Sequence, residues 1–188
     1  SFGFLFTILA GSFLLMLPFA TQGPENASFI DSLFTATSAV CVTGLVVHDT
    51  ATYWTSFGHV VIISLIQIGG MGVITVAVAL AMISGRKIGL MQRSTMKEAI
   101  AAPHVGGIVR LTRFIVKITI AIECLGALIM APVFIRDFGI GKGIWYAFFH
   151  SISAFCNAGF DLMGIRGQYS SLTSYVAQPA INLAITGL

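Results

Sequence analysis

Long uninterrupted runs of apolar residues dominate the chain, and short polar segments separate them. Residues 1–20 are apolar and uncharged. At about 1.5 Å per residue, a helix of that length crosses a hydrocarbon core of about 30 Å. Similar runs cover residues 54–84 and 108–133, and another begins near 168 and continues over 175–188. The pattern predicts three membrane-spanning helices and a fourth that is too short to span. We therefore expect the chain to be a piece of a longer protein.

Two shorter apolar segments lie between these runs. Residues 28–40 predict a helix that Asn26 or Ser28 would cap, with Asp31 favourably placed in its first turn. A helix of this length covers only about 20 Å and cannot cross a bilayer. Residues 143–155 predict a second short helix of the same kind.

The segments that end these short helices carry one repeated pattern. Residues 34–44 read FTATSAVCVTG and residues 149–159 read FHSISAFCNAG, so Phe, Ser, Ala, Cys and Gly fall in the same register. Each segment follows an apolar run that ends near a proline, Pro18 or Pro132. Matched loops after matched helices indicate an internal repeat. The predicted fold is an all-α polytopic membrane protein, with tandem parallel repeats that resemble the pore-loop unit of potassium channels.

The basic residues predict how the repeats sit in the membrane. Seven of the ten Lys and Arg lie within residues 86–117, together with one acid, Glu98. Basic clusters beside membrane helices mark the cytoplasmic side. We expect a first repeat over 1–85, a cytoplasmic basic linker over 86–107, and a second repeat over 108–188 that is truncated within its last helix. Both loops would then open to the outside, whereas inverted repeats would open on opposite faces.

Composition agrees with a multi-pass protein of the cell membrane. The chain is 56% hydrophobic and 9% charged, with a mean hydropathy of +0.93, whereas about a quarter of the residues of a soluble domain are charged. The apolar segments beside the basic patch argue against nucleic-acid binding. Three cysteines without CxxC spacing indicate neither a disulfide framework nor a zinc site.

The repeated loops are candidate cation sites. Irregular backbone at membrane depth is tolerated only where it is buried in protein or lines a water-filled cavity. A short helix that enters the membrane directs its negative C-terminal end toward the middle of the bilayer, which favours a cation there. The residues that follow can replace the hydration shell of an ion with main-chain carbonyl oxygens, and glycine allows the close approach.

These features resemble the Trk/Ktr/HKT superfamily of cation transporters and, within it, the pore subunits of bacterial Ktr systems. The resemblance rests on the repeated Ser-Ala-x-Cys-x-x-Gly loop, the helix–loop–helix unit and the Gln-x-Gly-Gly-x-Gly segment at 67–72. It covers essentially the whole chain, which would be the first two of four such units. It implies a quasi-fourfold pore that conducts K⁺ through a carbonyl-lined selectivity filter and catalyses no reaction.

The resemblance also assigns the filter residues, because each loop matches the first three positions of the potassium-channel Thr-Val-Gly-Tyr-Gly filter. Six residues would bind K⁺ through their main-chain carbonyls: Val42, Thr43, Gly44, Asn157, Ala158 and Gly159. Secondary candidates at the filter or its mouth are Cys41, Cys156, Phe160 and Asp161. Glycine at the key position of both loops implies K⁺ rather than Na⁺, since serine in the first loop marks sodium-preferring relatives in plants.

Partners follow from the same resemblance. The pore subunit would be a homodimer in the lipid bilayer, resting on a cytoplasmic ring of regulatory subunits that carry ATP or ADP. No phosphate-binding loop occurs in this sequence, and no covalent cofactor is expected. The basic segment 86–117 suits either docking of that ring or contact with anionic lipid.

Several single residues have two interpretations. Gly69, Gly70 and Gly72 allow either close helix packing or a gating hinge. Asp49 and Asp161 either raise the cation concentration at a pore mouth or are solvated loop acids.

Four further residues have individual predictions. Glu123 should face protein or water rather than lipid. His150 is predicted to be a hydrogen-bonded packing residue rather than a proton relay. Trp54, with Tyr53, is predicted to anchor the second run at the membrane interface.

Other functions remain as alternatives. A transporter of Na⁺ or of mixed monovalent cations could use the same fold. An intramembrane hydrolase would need a GxSxG serine and a facing histidine, and Ser38 and Ser153 lack that context. A structural subunit that conducts no ions is the third alternative.

Overall fold

The computed structural model describes residues 2–23, 26–72, 75 and 108–188, and these ranges are mostly helical. Their β-type pairing is limited to an isolated bridge between Thr21 and Trp54. The basic linker predicted over 86–107 lies outside the described residues, as does most of the predicted span beyond Gly72. The helices are α1 (Phe2–Leu15), α2 (Phe29–Val40), α3 (Thr50–Tyr53), α4 (Ser56–Met71), α5 (Ile108–Phe138), α6 (Ile140–Phe155) and α7 (Pro179–Gly187), with 3₁₀ turns at Met163–Ile165 and Ser171–Tyr175.

The described helices pack in two groups. Helices α1, α2 and α4 contact one another, and α5 contacts both α6 and α7. The two groups meet where α4 contacts α6 and where α3 contacts the turn Met163–Ile165. The short helices α2 and α6 are thereby held among longer ones, which positions the loops that follow them.

Helix α2 begins where the sequence predicts. Ser28 is extended (φ −62°, ψ 156°), and its Oγ accepts a hydrogen bond from the main-chain N–H of Asp31 at 3.1 Å. A serine in this position satisfies one of the donors that the first turn of a helix leaves free. The two predicted features of this end of the helix, the cap and the acid, are both present.

Helix α6 begins earlier than predicted. The connection between the predicted helices reduces to Gly139, whose φ of +82° ends α5 and allows α6 to start at the next residue. The first turn of α6 lies close against the end of α5, because a Cβ on Gly143 would be 2.5 Å from the main-chain nitrogen of Ile135. Such close packing requires glycine and leaves no room for a longer connection.

Helix α5 is longer than predicted and runs through Pro132 to Phe138. A proline inside a helix removes one main-chain hydrogen bond. Beyond it, however, Phe134 is fully buried, with its ring centroid 5.2 Å from that of His150 and 5.3 Å from that of Tyr175. Packing of this aromatic cluster outweighs the lost bond, so the expected helix end near 133 is wrong.

Helix α1 is shorter than the apolar run 1–20 and ends at Leu15. The residues that follow pair with the start of α4 instead. The Ala20 carbonyl accepts the N–H of Thr55 at 2.9 Å, and the N–H of Gln22 donates to the Tyr53 carbonyl at 2.9 Å. This pairing buries Trp54 almost completely. The prediction that Trp54 anchors the chain at a membrane interface is therefore wrong, because the indole belongs to the core.

Within the described residues, one helix is long and apolar enough to cross a bilayer, over Thr112–Phe138. Helices α1, α2 and α4 are apolar but shorter. Large apolar side chains are exposed on α1 and α5, among them Phe2, Phe6, Phe13, Phe114, Leu125 and Leu128. Soluble monomers rarely expose apolar surface on this scale, and the surface suits contact with lipid.

Candidate functional site

The loop after α2 ends that helix through a left-handed residue. Cys41 is still in the helical region (φ −84°, ψ −1°), and Val42 has φ +56°. The N–H of Val42 donates to the Ala39 carbonyl at 3.3 Å, and the N–H of Thr43 donates to the Ser38 carbonyl at 3.0 Å. This pair of bonds is the Schellman motif, which satisfies carbonyls that a helix end would otherwise leave free.

The loop after α6 has the same conformation. Cys156 has φ −78° and ψ −4°, and Asn157 has φ +55°. The N–H of Asn157 donates to the Ala154 carbonyl at 2.9 Å, and the N–H of Ala158 donates to the Ser153 carbonyl at 2.7 Å. The residues that share a register in the sequence thus share backbone angles and hydrogen bonds.

The left-handed position carries backbone strain in the first loop. Glycine is the usual residue at this point of a Schellman motif, and asparagine is tolerated. A β-branched residue such as Val42 is disfavoured there, by about 1–3 kcal/mol. Strain of this kind persists where surrounding structure over-determines it, and it concentrates at functional sites. The sequence analysis did not identify this cap, although Asn157 at the equivalent position is a usable signal for it.

The two loops contact each other at their glycines. Gly44 and Gly159 are left-handed, with φ of +71° and +72°. A Cβ on Gly44 would lie 2.5 Å from the Ala158 carbonyl oxygen and 3.3 Å from the Gly159 Cα. The main chains are therefore in van der Waals contact, and three of the six predicted ion-binding residues, Gly44, Ala158 and Gly159, form one cluster. Ala158 is buried in it, while the neighbouring glycine Gly159 is exposed.

A serine behind each loop ties it to its short helix. Ser38 Oγ lies 2.9 Å from Thr43 Oγ1, and Ser153 Oγ donates to the Phe160 carbonyl at 2.6 Å. The Phe160 side chain is buried. Because the Phe160 carbonyl already accepts a strong hydrogen bond, Phe160 supports the second loop from behind.

The acids near the loops differ from one another. Asp161 is partly buried, and its Oδ1 accepts the Met163 N–H at 2.9 Å. Asp49 is buried and caps α3, because its Oδ1 accepts the N–H groups of Ala51 and Thr52 at 3.0 and 3.1 Å. Both predicted interpretations of Asp49 are therefore wrong, because its carboxylate is buried and caps a helix. It neither faces a pore mouth nor lies in solvent.

The glycines of α4 lie against the ends of both short helices. A Cβ on Gly69 would overlap the Val40 carbonyl oxygen, and a Cβ on Gly70 would overlap Cys156 Sγ. Gly72 is different, because it ends α4 with φ +81° and a Cβ there would contact nothing within 4 Å in the described residues. The geometry supports packing for Gly69 and Gly70, which leaves Gly72 as the hinge candidate.

Glu123 faces protein, as predicted. Its side chain is buried in α5, and its Oε1 accepts the Gln67 Nε2–H at 2.7 Å. The hydroxyl of Ser151 donates to the Glu123 main-chain carbonyl at 2.6 Å, which joins α6 to α5. The hydrogen bond between Gln67 and Glu123 was not identified from the sequence, because the two residues are far apart in the chain and give no local signal.

His150 is a packing residue, as predicted. Its ring is buried, and the N–H of Leu162 donates to its Nε2 at 3.3 Å. Nε2 is therefore an acceptor, so Nδ1 carries the proton that is donated to the Tyr146 carbonyl at 2.7 Å. Both ring nitrogens are occupied within the fold.

A partly exposed acid lies at the start of α2. Asp31 Oδ2 is 3.3 Å from His48 Nε2, and the His48 ring stacks on Tyr53 with centroids 3.9 Å apart. The Ser28 hydroxyl, and then His48, hold the pKa of Asp31 below its usual value. Since both side chains reach solvent, the pair contributes little to stability. It shows that the segment after the first loop lies beside the start of α2.

These features define a class of helical membrane proteins in which short helices end at paired, strained loops. A family model described as TrkH, cation transport protein, matches residues 6–188. The chain belongs to this family, which confirms the resemblance seen in the sequence.

Similar proteins come from several bacteria. The chain is 46% identical to the potassium/sodium uptake protein NtpJ of Enterococcus hirae, over 86% of this chain and 36% of that protein. It is 47% identical to the Ktr system potassium uptake protein B of Bacillus subtilis, over 99% and 40%. The protein of the same description from Vibrio alginolyticus is 37% identical, over 98% and 39%. The chain thus spans about two fifths of the length of the curated relatives that it matches.

Proposed function

We propose that this chain forms part of a potassium-conducting pore, in which the two loops supply half of a selectivity filter. The observation that carries the proposal is the matched pair of loops: identical capping bonds, left-handed residues at the same positions, and contact between Gly44 and the main chain at Ala158. Duplicated left-handed backbone, strained at Val42, suits a site that binds an ion through main-chain oxygens.

The short helices would supply the electrostatic part of the site. Helices α2 and α6 both end at the loops, so the negative ends of their dipoles lie beside the proposed ion position. The carbonyls of the six filter residues would replace water around a dehydrated K⁺. Cys41 and Cys156, each at the last turn of a short helix, would support these carbonyls from one side.

The proposed architecture is the pair of tandem parallel repeats, 1–85 and 108–188, joined by a cytoplasmic linker over 86–107. The equal conformation of the two loops supports it, as does their direct contact. Both loops would open to the outside of the cell membrane, with two further repeats supplied by the rest of the protein. Gly72 would act as a gating hinge below the filter, because it ends α4 with a left-handed backbone and a Cβ there would contact no described residue within 4 Å.

K⁺ is the proposed ion, because both loops carry glycine at the key position and the relatives are described as potassium or potassium/sodium uptake proteins. Transport of Na⁺, or of both ions, is the second candidate, which the description of the Enterococcus relative favours. The proposed partners are a second copy of the protein and a cytoplasmic nucleotide-binding ring of a Ktr-type system, the latter near the basic segment 86–117.

The full-length protein that contains this chain is expected to conduct K⁺ across a membrane. Liposomes that contain the purified protein and are loaded with K⁺ should release K⁺ faster than K⁺-loaded liposomes without protein. A potassium electrode measures the release. Replacing K⁺ by Na⁺ in the same liposomes measures the preference between the two ions. Equal fluxes would favour the mixed-cation alternative, and no flux of either ion, with or without the regulatory ring, would support a structural subunit.

A further inference from the structure

Asp49 joins the segment after the first loop to the segment after the second. Its two carboxylate oxygens have separate partners. Oδ1 accepts the N–H of Ala51 at 3.0 Å, and both the N–H and the hydroxyl of Thr52 at 3.1 Å. Oδ2 accepts the main-chain N–H of Tyr169 at 2.8 Å. One oxygen therefore caps α3 locally, and the other connects two regions 120 residues apart.

Tyr169 strengthens the same connection. Its hydroxyl donates to the Val47 carbonyl at 3.1 Å. Its backbone is left-handed, with φ +59°, a conformation that a non-glycine residue keeps only where neighbouring contacts hold it. Gly164 also lies directly against this point, since a Cβ there would overlap the carboxylate of Asp49. The contact is buried on the Asp49 side, where the residue is only 6% exposed, while Tyr169 lies at the surface.

The connection lies close to the proposed filter in both segments. Asp49 follows Gly44 with no helix between them, and Tyr169 follows Gly159 with one 3₁₀ turn between them. The two loops contact each other at the glycines. The bond from Tyr169 to Asp49 is a second point of attachment, and a charged acceptor makes such a bond stronger than a neutral one.

We propose that Asp49 is a positioning residue for ion selectivity. Its bond to Tyr169 fixes the separation of the two loops, and thereby the distances between their carbonyl oxygens. A filter that discriminates between K⁺ and Na⁺ must keep those distances, or the number of oxygens around the ion. Otherwise the carbonyl oxygens would move inward and bind the smaller Na⁺ equally well. The inference rests on the proposed function of the loops.

Asp49→Asn tests the bond selectively, because it changes one atom. The remaining oxygen can still accept the donors of α3, and the new NH₂ group then faces the N–H of Tyr169, so two donors oppose each other. In the full-length protein in liposomes, the ratio of K⁺ to Na⁺ flux should fall by roughly tenfold, the effect of losing one charge-assisted bond. Flux of K⁺ itself should change less.

The matched control is Thr52→Val. It removes the hydroxyl that donates to Oδ1 and leaves the bond to Tyr169 in place. Its flux ratio should equal that of the unmodified protein. Tyr169→Phe removes only the bond to Val47 and should lower the ratio by a smaller factor in the same direction. Combined with Asp49→Asn, it should add little, because both bonds join the same two segments.

An unchanged flux ratio in folded Asp49→Asn protein would overturn the proposal. If that variant does not yield folded protein, Asp49→Ser decides, because a serine keeps one oxygen to cap α3 and lacks the second oxygen that accepts the N–H of Tyr169. An unchanged ratio in that variant would overturn the proposal equally. Gly44→Ser separates this inference from the proposed function. If Gly44→Ser loses selectivity and Asp49→Asn does not, the loops can still form the filter, but Asp49 does not position it. If Gly44→Ser loses no selectivity, the filter assignment itself is contradicted.

Discussion

Gly44→Ser should remove most of the preference for K⁺ over Na⁺ while the protein still folds. Gly44 has φ +71°, where a side chain is strained, and a Cβ would lie 2.5 Å from the Ala158 carbonyl oxygen. That oxygen is one of the proposed ion ligands, so the substitution displaces the neighbouring loop as well as its own. Flux ratios for K⁺ and Na⁺ in liposomes measure the effect, which we expect to be at least tenfold. A shift of that size needs only about 1.4 kcal/mol.

Gly159→Ser should also lower the flux ratio, but by a smaller factor. Its backbone is equally left-handed, yet among the described residues a Cβ would contact only the Gly44 Cα, at 3.6 Å. The first loop thus has a steric conflict that the second lacks. The control is Gly141→Ser, because Gly141 is exposed in α6 and a Cβ there meets nothing within 4 Å in the described residues. Equal K⁺ preference in the control and in both loop variants would refute the filter assignment.

The short helices and their loops could be predicted from the sequence because their signals are local. Ser28 before an apolar segment marks the start of α2, and repetition of Cys and Gly marks the two loops. The backbone conformations that the sequence did not predict lack so clear a local signal. The left-handed caps at Val42 and Asn157 depend on how each helix end is held, and a valine gives no sign that it adopts such a conformation.

Errors in the predicted helix bounds come from tertiary packing. Pro132 is a valid local signal for a helix end, but burial of Phe134 beyond it carries α5 onward. Trp54 has the composition of an interfacial anchor, but pairing between Thr21 and Trp54 draws it into the core. Asp49 likewise resembles any loop acid until a partner 120 residues away is known. Each of these outcomes depends on a contact between segments that are distant in the sequence.

Gly69→Ala should destabilise the whole protein rather than alter ion selectivity. A Cβ on Gly69 would overlap the carbonyl oxygen of Val40, which is main chain and cannot rotate away. Inserting even a methyl group into a close-packed contact costs about 1–3 kcal/mol when side chains can adjust, and we expect at least the upper value here. Thermal unfolding of the purified protein in detergent measures the loss. Gly141→Ala, where a Cβ meets no described residue within 4 Å, should not lower the unfolding temperature.

Gly70→Ala tests whether steric overlap causes the expected loss of stability at these glycines. Its Cβ would overlap Cys156 Sγ, a side-chain atom, so the second substitution Cys156→Ala removes the nearest obstacle. The Cys156 Cβ remains 2.8 Å from the new methyl group, and the rescue should therefore be partial. Gly69→Ala allows no such rescue, because no side-chain change at Val40 moves its carbonyl oxygen. If Gly69 served instead as a gating hinge, Gly69→Ala would leave the unfolding temperature unchanged and alter conductance, an outcome that would reject the packing role argued from these contacts.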